Sequence, residues 1–230
     1  MGKGQIIFFD VGDTLLKQSK TFESQIYEFI SSKESEVKYD FDSILSEIIQ
    51  SHSKRNKTIW DNDKTINEYL HDVYFTLVNN RVTNPDLVTK KLLYYMKSSE
   101  AWKLIENTEE ILNYLHKKGY TLGVISNWGS NLRNVLEDKG IAKYFDVIVS
   151  SAVAGYAKPH KEIFFKALRS IKEEIADIKR IYMVGDSWEN DIYPCFSLNI
   201  KPVFISKNKD QFLNRDMMII NSITNLKSLF

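Results

Sequence analysis

Cysteine is nearly absent from the sequence. The single residue, Cys195, excludes an internal disulfide and fits a reducing compartment, so we expect a cytoplasmic protein. Cys195 follows the segment Asp-Ile-Tyr-Pro on a predicted buried helix. This setting favours the role of a small hydrophobic side chain over that of a thiol nucleophile.

Long hydrophobic runs and an excess of one charge are absent as well. No apolar run approaches the roughly 18 residues that a membrane span requires, so we expect no membrane partner. Lys and Arg number 31 against 30 for Asp and Glu, a net charge of +1, which disfavours nucleic acid as the main partner. The first predicted strand begins so near the start of the chain that we expect no signal peptide.

What the sequence does contain is a short apolar strand that ends on a carboxylate. The run IIFF, residues 6–9, is followed by Asp10 and then by the turn formers Gly12 and Asp13. Such a run predicts a buried strand of a parallel sheet. Asp10 is then expected at the carboxyl end of the strand, where open α/β sheets bind their ligands. The competing interpretation is an Asp that only begins a turn.

Polar side chains also follow later predicted strands. They are Ser126 and Asn127 after LGVI, Lys158 in the loop GYAKP, and Asp186 with Asp191 in GDSWEND. Each motif alone has a plain alternative, such as a helix cap at Ser126 or a surface turn at Lys158. Because all of them stand near strand ends, we expect them to meet Asp10 at one edge of the sheet.

Apolar periodicity divides the 230 residues into a helical region and an alternating one. From about residue 21 to 98, apolar side chains recur at helical spacing with no strand among them. From about residue 107, helices alternate with strands. We therefore predict an α/β fold: a Rossmann-like parallel sheet with helices on both faces, formed by residues 1–16 and 101–230, and an inserted helical-bundle cap domain, residues 17–100.

Individual elements follow from the same pattern. The four helical stretches of the insertion begin at Phe22, Phe41, Ile66 and Leu87. Asn84 and Pro85 supply a cap and a first helical residue for the last one, and Gly119 and Gly140 end two later helices. The predicted elements of the alternating region are helices 108–118, 130–139, 160–171 and 189–198, and strands 121–125, 145–149, 180–184, 202–206 and 217–220.

The motifs FFDVGDTLL, VISN, GYAKP and GDSWEND resemble the four ordered motifs of the haloacid dehalogenase (HAD) superfamily. The resemblance covers about residues 5–206, and the helical insertion stands where the helical-cap branch of that superfamily has its cap. It implies a Mg²⁺-dependent hydrolase, a phosphatase of a small phosphorylated metabolite, with an aspartyl-phosphate intermediate on Asp10. Sequence alone leaves a monomer and a homodimer equally open.

The residue types suit this chemistry. A carboxylate that attacks phosphorus forms an acyl-phosphate and splits hydrolysis into two displacements. An anion approaching a dianion needs nearby positive charge, which Lys158 and Mg²⁺ can supply. Asp191 is expected to orient the water shell of the metal or to hold Lys158. We expect Asp10, Ser126 and Lys158 to be catalytic. The expected substrate contacts are Ser126, Asn127 (through its amide at a helix start), Lys158, Asp13 and Thr14. The expected metal ligands are Asp10, Asp186, Asp191 and, by resemblance, the carbonyl of Gly12.

One position departs from the family pattern. Phosphatases of the superfamily usually carry a second Asp two residues after the nucleophile, where this sequence has Gly12. Asp13 comes one residue later, and a shift of one residue turns the side chain elsewhere. The departure raises two alternatives: a 2-haloacid dehalogenase with an ester intermediate on Asp10, or a catalytically weakened binding protein. Asp186 favours the Mg²⁺ phosphatase, because clustered carboxylates without a cation are costly.

The predicted cap is expected to exclude water and to select the substrate. Its hinges are expected near residues 16–20 and 97–106. Candidate substrate contacts in the link 52–63 are Arg55, Lys57 and Trp60, although Trp60 packed against the bundle is at least as good an interpretation.

Overall fold

The computed structural model describes residues 4–20, 24, 60–78, 84–171, 180–207 and 216–230. Its strands are β1 (Gln5–Phe9), β2 (Leu16–Gln18), β3 (Trp102–Leu104), β4 (Thr121–Ser126), β5 (Val147–Ser150), β6 (Arg180–Gly185), β7 (Lys201–Ile205) and β8 (Met218–Ile220). Six of them form a parallel sheet in the order β5-β4-β1-β6-β7-β8. Strands β2 and β3 pair with each other in a separate antiparallel ribbon.

Helices cover both faces of the sheet. They are α1 (Asp63–Val78), α2 (Pro85–Lys97), α3 (Thr108–Lys117), α4 (Leu132–Asp138), α5 (Ser151–Ala154), α6 (Lys161–Arg169), α7 (Cys195–Leu198) and α8 (Leu226–Leu229). Helices α1 and α2 precede β3, and the others belong to the alternating region. The predicted α/β class is confirmed. Among the described helices, none combines the length and the apolar character of a membrane span.

Strand β1 is central because it contributes to two hydrophobic cores. Ile7 and Phe9 pack on one face of the sheet with buried residues of α3 and α4. Ile6 and Phe8 point to the other face and pack with α6. Successive side chains of a strand alternate between faces. A strand covered on both faces is therefore apolar throughout, which explains the run that marks it in the sequence.

Several local signals act as expected. Asn84 caps α2, since its Oδ1 accepts a hydrogen bond from the Leu87 amide at 3.1 Å, and Pro85 is the first helical residue. Gly119 and Gly140 follow α3 and α4 with positive φ angles. The sequence also offers Asn107 or Thr108 as the cap of α3, but Asn107, which holds the cap position, makes no side-chain cap bond.

The β2–β3 ribbon is absent from the sequence prediction. Leu16 pairs with Leu104 and Gln18 with Trp102, so the two expected hinge segments are hydrogen-bonded to each other. Strands of three residues are too short to show a period of two. The predicted domain boundary after residue 16 falls inside β2, and the division into core and cap stays a prediction. The first two predicted helical stretches, which begin at residues 22 and 41, lie outside the described residues.

The predicted helix 189–198 is wrong as a single element. The chain instead forms a π-helical turn at Trp188–Ile192 and the separate helix α7. Pro194 stands between them, and a proline cannot donate the backbone hydrogen bond that a continuous helix needs there. Cys195 is buried, and burial raises the pKa of its thiol to about 12. Its predicted role as a small apolar side chain fits this environment.

The close packing of β1 and β4 predicts a defined cost for enlarging Gly123. Gly123 pairs with Phe8, and a Cβ at this position would lie 2.6 Å from two carbons of the Phe8 ring. Because this core is closely packed, we expect Gly123→Ala to lower the free energy of unfolding by about 1–3 kcal/mol in urea titrations. Gly12→Ala is the control, since a Cβ there meets nothing within 4 Å. Equal losses in both variants would contradict this account.

Candidate active site

Three neighbouring strands bring polar side chains to one edge of the sheet. Ser126 ends β4, while Asp10 and Asp186 directly follow β1 and β6, and β1 lies between β4 and β6 in the sheet. The Asp10 amide donates to the Val184 carbonyl at 2.9 Å, which continues the pairing of β1 with β6 and fixes the backbone of Asp10. The Ser126 hydroxyl donates to Asp10 Oδ1 at 3.0 Å. Strand pairing alone thus assembles this part of the site.

Lys158 joins the cluster as a buried cation. Its Nζ donates to Asp10 Oδ1 and to Asp191 Oδ1, both at 2.5 Å, and the residue is only 4% exposed. The interpretation of Lys158 as part of a surface turn is therefore wrong. Burial alone would lower the pKa of Lys158, but the charges of the two carboxylates outweigh burial, so the pKa is raised. The ammonium stays charged inside the protein.

Asp191 engages both of its carboxylate oxygens with groups of the chain. Oδ1 accepts from Lys158, and Oδ2 accepts from the Ser187 amide at 3.0 Å. Burial raises the pKa of Asp191, and the Lys158 ammonium opposes this rise. Gly185 makes the arrangement possible, because a Cβ there would lie 2.3 Å from Asp191 Oδ2. Of the two roles expected for Asp191, this geometry favours holding Lys158.

Asp186 lies beside the ion pair. Thr14 Oγ1 donates to Asp186 Oδ1 at 3.3 Å, so the Thr14 side chain, which is buried, supports this carboxyl group. Burial raises the pKa of Asp186 to about 6, and the negative charges of Asp10 and Asp13 add to the shift. A raised pKa signals a carboxylate that lacks a sufficient positive partner.

The carboxylates have the composition and spacing of a metal site. Ligand oxygens of Asp10, Asp186 and Asp191 all lie within 4.8 Å of one another. These three carboxylates share one ammonium, that of Lys158, so negative charge is in excess in this cluster. Hard divalent cations such as Mg²⁺ prefer carboxylate and carbonyl oxygens. The residues present therefore fit such a cation, with Gly12 beside Asp10 in the lining of the same cavity.

Asn127 acts on the backbone of Lys158. Its Oδ1 accepts from the Lys158 amide at 2.7 Å, and its Nδ2 donates to the Lys158 carbonyl at 3.0 Å. The side chain thereby fixes the loop that carries the buried cation. The Asn127 amide does not stand at a helix start, since α4 begins only at Leu132, and its predicted contact with phosphate oxygens stays a prediction. The motif VISN singles out Asn127 as a candidate site residue, but nothing in the sequence predicts the hydrogen bonds between its side chain and the backbone of Lys158.

A cavity of about 1120 Å³ opens beside the acidic cluster. Its lining includes side chains of α1 and α2 and seven of the predicted site residues: Asp10, Gly12, Asp13, Ser126, Asn127, Lys158 and Asp191. Trp60 also lines the cavity, and the centroid of its ring lies 6.1 Å from that of Tyr69 in α1. Trp60 therefore both packs against α1 and lines the cavity. The candidates Arg55 and Lys57 lie outside the described residues.

Two carboxylates near the start of α1 bind backbone amides of the loops around the site. Asp61 Oδ1 accepts from the Ala157 amide at 2.8 Å, next to Lys158. Asp63 Oδ1 accepts from the Ser130 amide at 2.9 Å. The start of α1 is therefore hydrogen-bonded to two loops, the one that carries Lys158 and the one that follows Asn127.

Comparisons with known proteins agree with this architecture. The family model of the haloacid dehalogenase-like hydrolases matches residues 5–194, and the chain belongs to this family. Glyceraldehyde 3-phosphate phosphatase of Pyrococcus abyssi is 26% identical over 218 residues, which cover 89% of this chain and 82% of that protein. Pyrimidine 5'-nucleotidase YjjG of Escherichia coli is 29% identical over 191 residues, 81% of this chain and 79% of that protein.

Other similarities either cover part of the chain or show the fold alone. Haloacid dehalogenase-like hydrolase domain-containing protein 3 of Bos taurus is 33% identical over 104 residues, 45% of this chain and 40% of that protein. A HAD phosphatase from Thermococcus onnurineus has a TM-score of 0.68 at 23% identity, covering 98% of this chain and 97% of the other. A 2-haloacid dehalogenase from Pseudomonas syringae has a TM-score of 0.66 at 18% identity with the same coverage. These structures share the fold, which by itself does not separate the two reactions.

The contact between Asp61 and Ala157 can be tested by hydrogen exchange. We expect Asp61→Ala to speed exchange of the Ala157 amide about tenfold, because the amide loses a charged acceptor. Asp61→Asn keeps an acceptor oxygen and should retain most of the protection. The Gly155 amide, which bonds to the Ser151 carbonyl at 2.8 Å, serves as the internal reference. Unchanged exchange at Ala157 in the Asp61→Ala variant would show that the contact is not formed in solution.

Proposed function

We propose that the protein is a Mg²⁺-dependent phosphatase of small phosphorylated metabolites that works through an aspartyl-phosphate on Asp10. The observation that carries this proposal is the carboxyl group of Asp186 beside Asp10 in a cluster with an excess of negative charge. Such a cluster calls for a divalent cation, which phosphoryl transfer uses. The single Cys195, free and buried, fits the cytoplasmic location that we infer for the enzyme.

The first displacement forms a bond between a carboxylate oxygen of Asp10 and phosphorus while the bond from phosphorus to the leaving alcohol breaks. Lys158 holds the Asp10 carboxylate in place and lowers the repulsion between this anion and the phosphate dianion. Mg²⁺, held by Asp10, Asp186 and the Gly12 carbonyl, would supply further positive charge to the phosphate oxygens. In the second displacement, water attacks the phosphorus of the acyl-phosphate and releases Asp10.

The neighbouring residues position these groups. Ser126 can turn its hydroxyl from Asp10 to a phosphate oxygen, and Asn127 keeps the Lys158 loop in place. Asp13 lines the cavity and can contact the substrate there. We assign Thr14 an indirect role, because its hydroxyl supports Asp186.

The phosphatase reading is also supported by two relatives that align along most of this chain and whose names describe phosphate ester hydrolysis. Gly12 supports the alternative of halide displacement from carbon, which needs neither a proton donor at the leaving group nor a metal. In that reaction Asp186 would have no cation to bind, so its presence favours the phosphatase.

Replacement of the nucleophile is the first test. Asp10→Asn retains the size of the side chain but removes the attacking carboxylate, so we expect hydrolysis of p-nitrophenyl phosphate to fall at least about a thousandfold. Steady-state rates with Mg²⁺ measure this loss, and circular dichroism verifies that the variant is folded. Activity within tenfold of the parent protein would refute the assignment of Asp10.

The alternatives predict other results for the parent protein. A dehalogenase releases halide from 2-chloropropionate at a rate that EDTA does not change. A binding protein without turnover is stabilised by a phosphorylated ligand in Mg²⁺ but forms no product from any of a broad panel of phosphates. Mg²⁺-dependent release of phosphate, with no release of halide, is the outcome that we expect.

The raised pKa of Asp186, about 6 against 3.8 for the free group, predicts a pH-dependent response to Mg²⁺. The contribution of this group to stability falls as the pH rises from about 3.8 to about 6, where the unfolded chain is ionised and the folded protein still holds the proton, and the full loss is present above about pH 6. A bound cation relieves the repulsion only where the proton has left. We therefore expect Mg²⁺ to raise Tm more at about pH 7.5 than at about pH 5 in thermal unfolding.

A matched variant isolates the contribution of Asp186. Asp186→Asn carries no ionisable group at this position, so it should lose most of the Mg²⁺-induced rise in Tm at both pH values. An equal rise for the parent protein at the two pH values would contradict the role given to this carboxyl group.

Gly12→Asp should restore the family's second Asp. The structure leaves room, since a Cβ at Gly12 meets nothing within 4 Å. General acid–base help is worth about 10²- to 10⁴-fold, and it matters most for basic leaving groups. We expect kcat to rise at least about tenfold for an alkyl phosphate and much less for p-nitrophenyl phosphate. Gly12→Asn is the control without a titratable proton, and an equal gain in this control would rule out the acid–base explanation.

A further inference from the structure

One part of the cavity lining, here called the aromatic wall, is apolar and rich in aromatic rings. It is formed by the end of the segment before α1, by α1 itself, by the end of α2, by β3 and by the loop after β4. The side chains concerned are Trp60, Ile66, Tyr69, Leu70, Val73, Tyr74, Tyr94, Met96, Trp102 and Trp128.

The aromatic wall begins directly beside the proposed phosphate site. Trp128 follows Asn127 in the chain, and its backbone is held by Ser151, whose hydroxyl accepts from the Trp128 amide at 3.1 Å and donates to the Trp128 carbonyl at 3.2 Å. The Trp128 ring contacts that of Trp102, with 4.4 Å between the centroids. The indole of Trp102 is held in turn by the Met96 carbonyl at 3.3 Å. Two indoles are thus fixed in place before any substrate arrives.

The cavity is large for a phosphate ester of a few carbon atoms. Its volume of about 1120 Å³ lies just above the range of about 300–1,000 Å³ that is usual for small-molecule sites. A three-carbon ester would fill only part of this volume, and it has no ring to pack on the side chains of the aromatic wall. A flat ring attached to the phosphate-bearing alcohol could reach these side chains.

The charges around the cavity disfavour a second anionic group on the substrate. Among the lining residues in the described ranges, the cations are Lys97 and Lys158, and Lys158 is already bound to two carboxylates. Asp13 and Asp63 add negative charge to the same lining. The group that follows the phosphate is therefore best uncharged.

We propose that the cavity selects phosphate monoesters whose alcohol part carries a flat, uncharged aromatic ring system. This inference rests on the proposed phosphatase function and adds the class of substrate. Aromatic rings pack on indole and phenol rings in offset or edge-to-face arrangements that add affinity beyond the area they bury. A nucleobase and a simple aryl group share this chemistry.

Matched substrates test the proposal without a bias from the leaving group. One pair is 2-phenylethyl phosphate and propyl phosphate, and the other is uridine 5'-monophosphate and ribose 5-phosphate; each pair releases similar primary alcohols. We expect kcat/KM to be at least about tenfold higher for the ring-bearing member, mainly through KM. A preference within both pairs indicates recognition of the ring alone, and a preference within the nucleotide pair alone indicates recognition of a nucleoside.

The failures of the two proposals are distinguishable. Hydrolysis of the ring-free members at an equal or higher kcat/KM would overturn the substrate class and leave the phosphatase intact. Absence of Mg²⁺-dependent turnover for all four esters and for p-nitrophenyl phosphate would overturn the phosphatase and the substrate class together.

Variants of the wall provide a second measurement. Trp128→Leu should raise KM for 2-phenylethyl phosphate about tenfold while leaving KM for propyl phosphate within about twofold. Trp60→Leu, on a separate segment of the same wall, is the second variant if Trp128→Leu does not fold. Tyr193→Leu is the control, since this exposed ring lies outside the cavity lining, and it should change neither KM. Equal changes for both esters in the two Trp variants would show that the indoles only support the fold.

Discussion

The contact on which the site depends is the buried ammonium of Lys158 between the carboxylates of Asp10 and Asp191. Removing charges from water is costly, and a buried pair is favourable only with short contacts and further hydrogen bonds. Both conditions are met, because Ser126 donates to Asp10 and the Ser187 amide donates to Asp191. The arrangement fixes the orientation of Asp10 and leaves Asp186 beside it as an acidic group with a raised pKa. That surplus of negative charge is what makes a cation part of the proposed chemistry.

The sheet explains how distant parts of the sequence reach this contact. Strand β1 lies between β4 and β6, so the residues that end these strands converge without any specific side-chain recognition. This is why the sequence alone could indicate Asp10, Ser126 and Asp186: each stands where an apolar strand gives way to a polar turn. The apolar strands and the order of the motifs were therefore enough to predict the α/β class and to indicate much of the candidate site.

Other features depend on contacts that no local pattern encodes. Asn127 is bound to the backbone of Lys158, 31 positions away, and Asp61 to the amide of Ala157, 96 positions away. The β2–β3 ribbon has three-residue strands, which are too short for alternation to be visible. The aromatic cavity also depends on distant contacts, since Trp60 and Trp128 line the same cavity only in the folded chain. Local sequence patterns could single out some of these residues, but they could not predict which distant residues contact each other.

The central claim is that Asp10 bonds covalently to phosphorus during turnover. Rapid acid quenching during steady hydrolysis of p-nitrophenyl phosphate, followed by borohydride reduction, converts an aspartyl-phosphate into homoserine, which peptide mass spectrometry can locate. We expect homoserine at residue 10. An unmodified Asp10 in samples quenched during rapid turnover, or homoserine at another position, would contradict the assignment of Asp10 as the nucleophile.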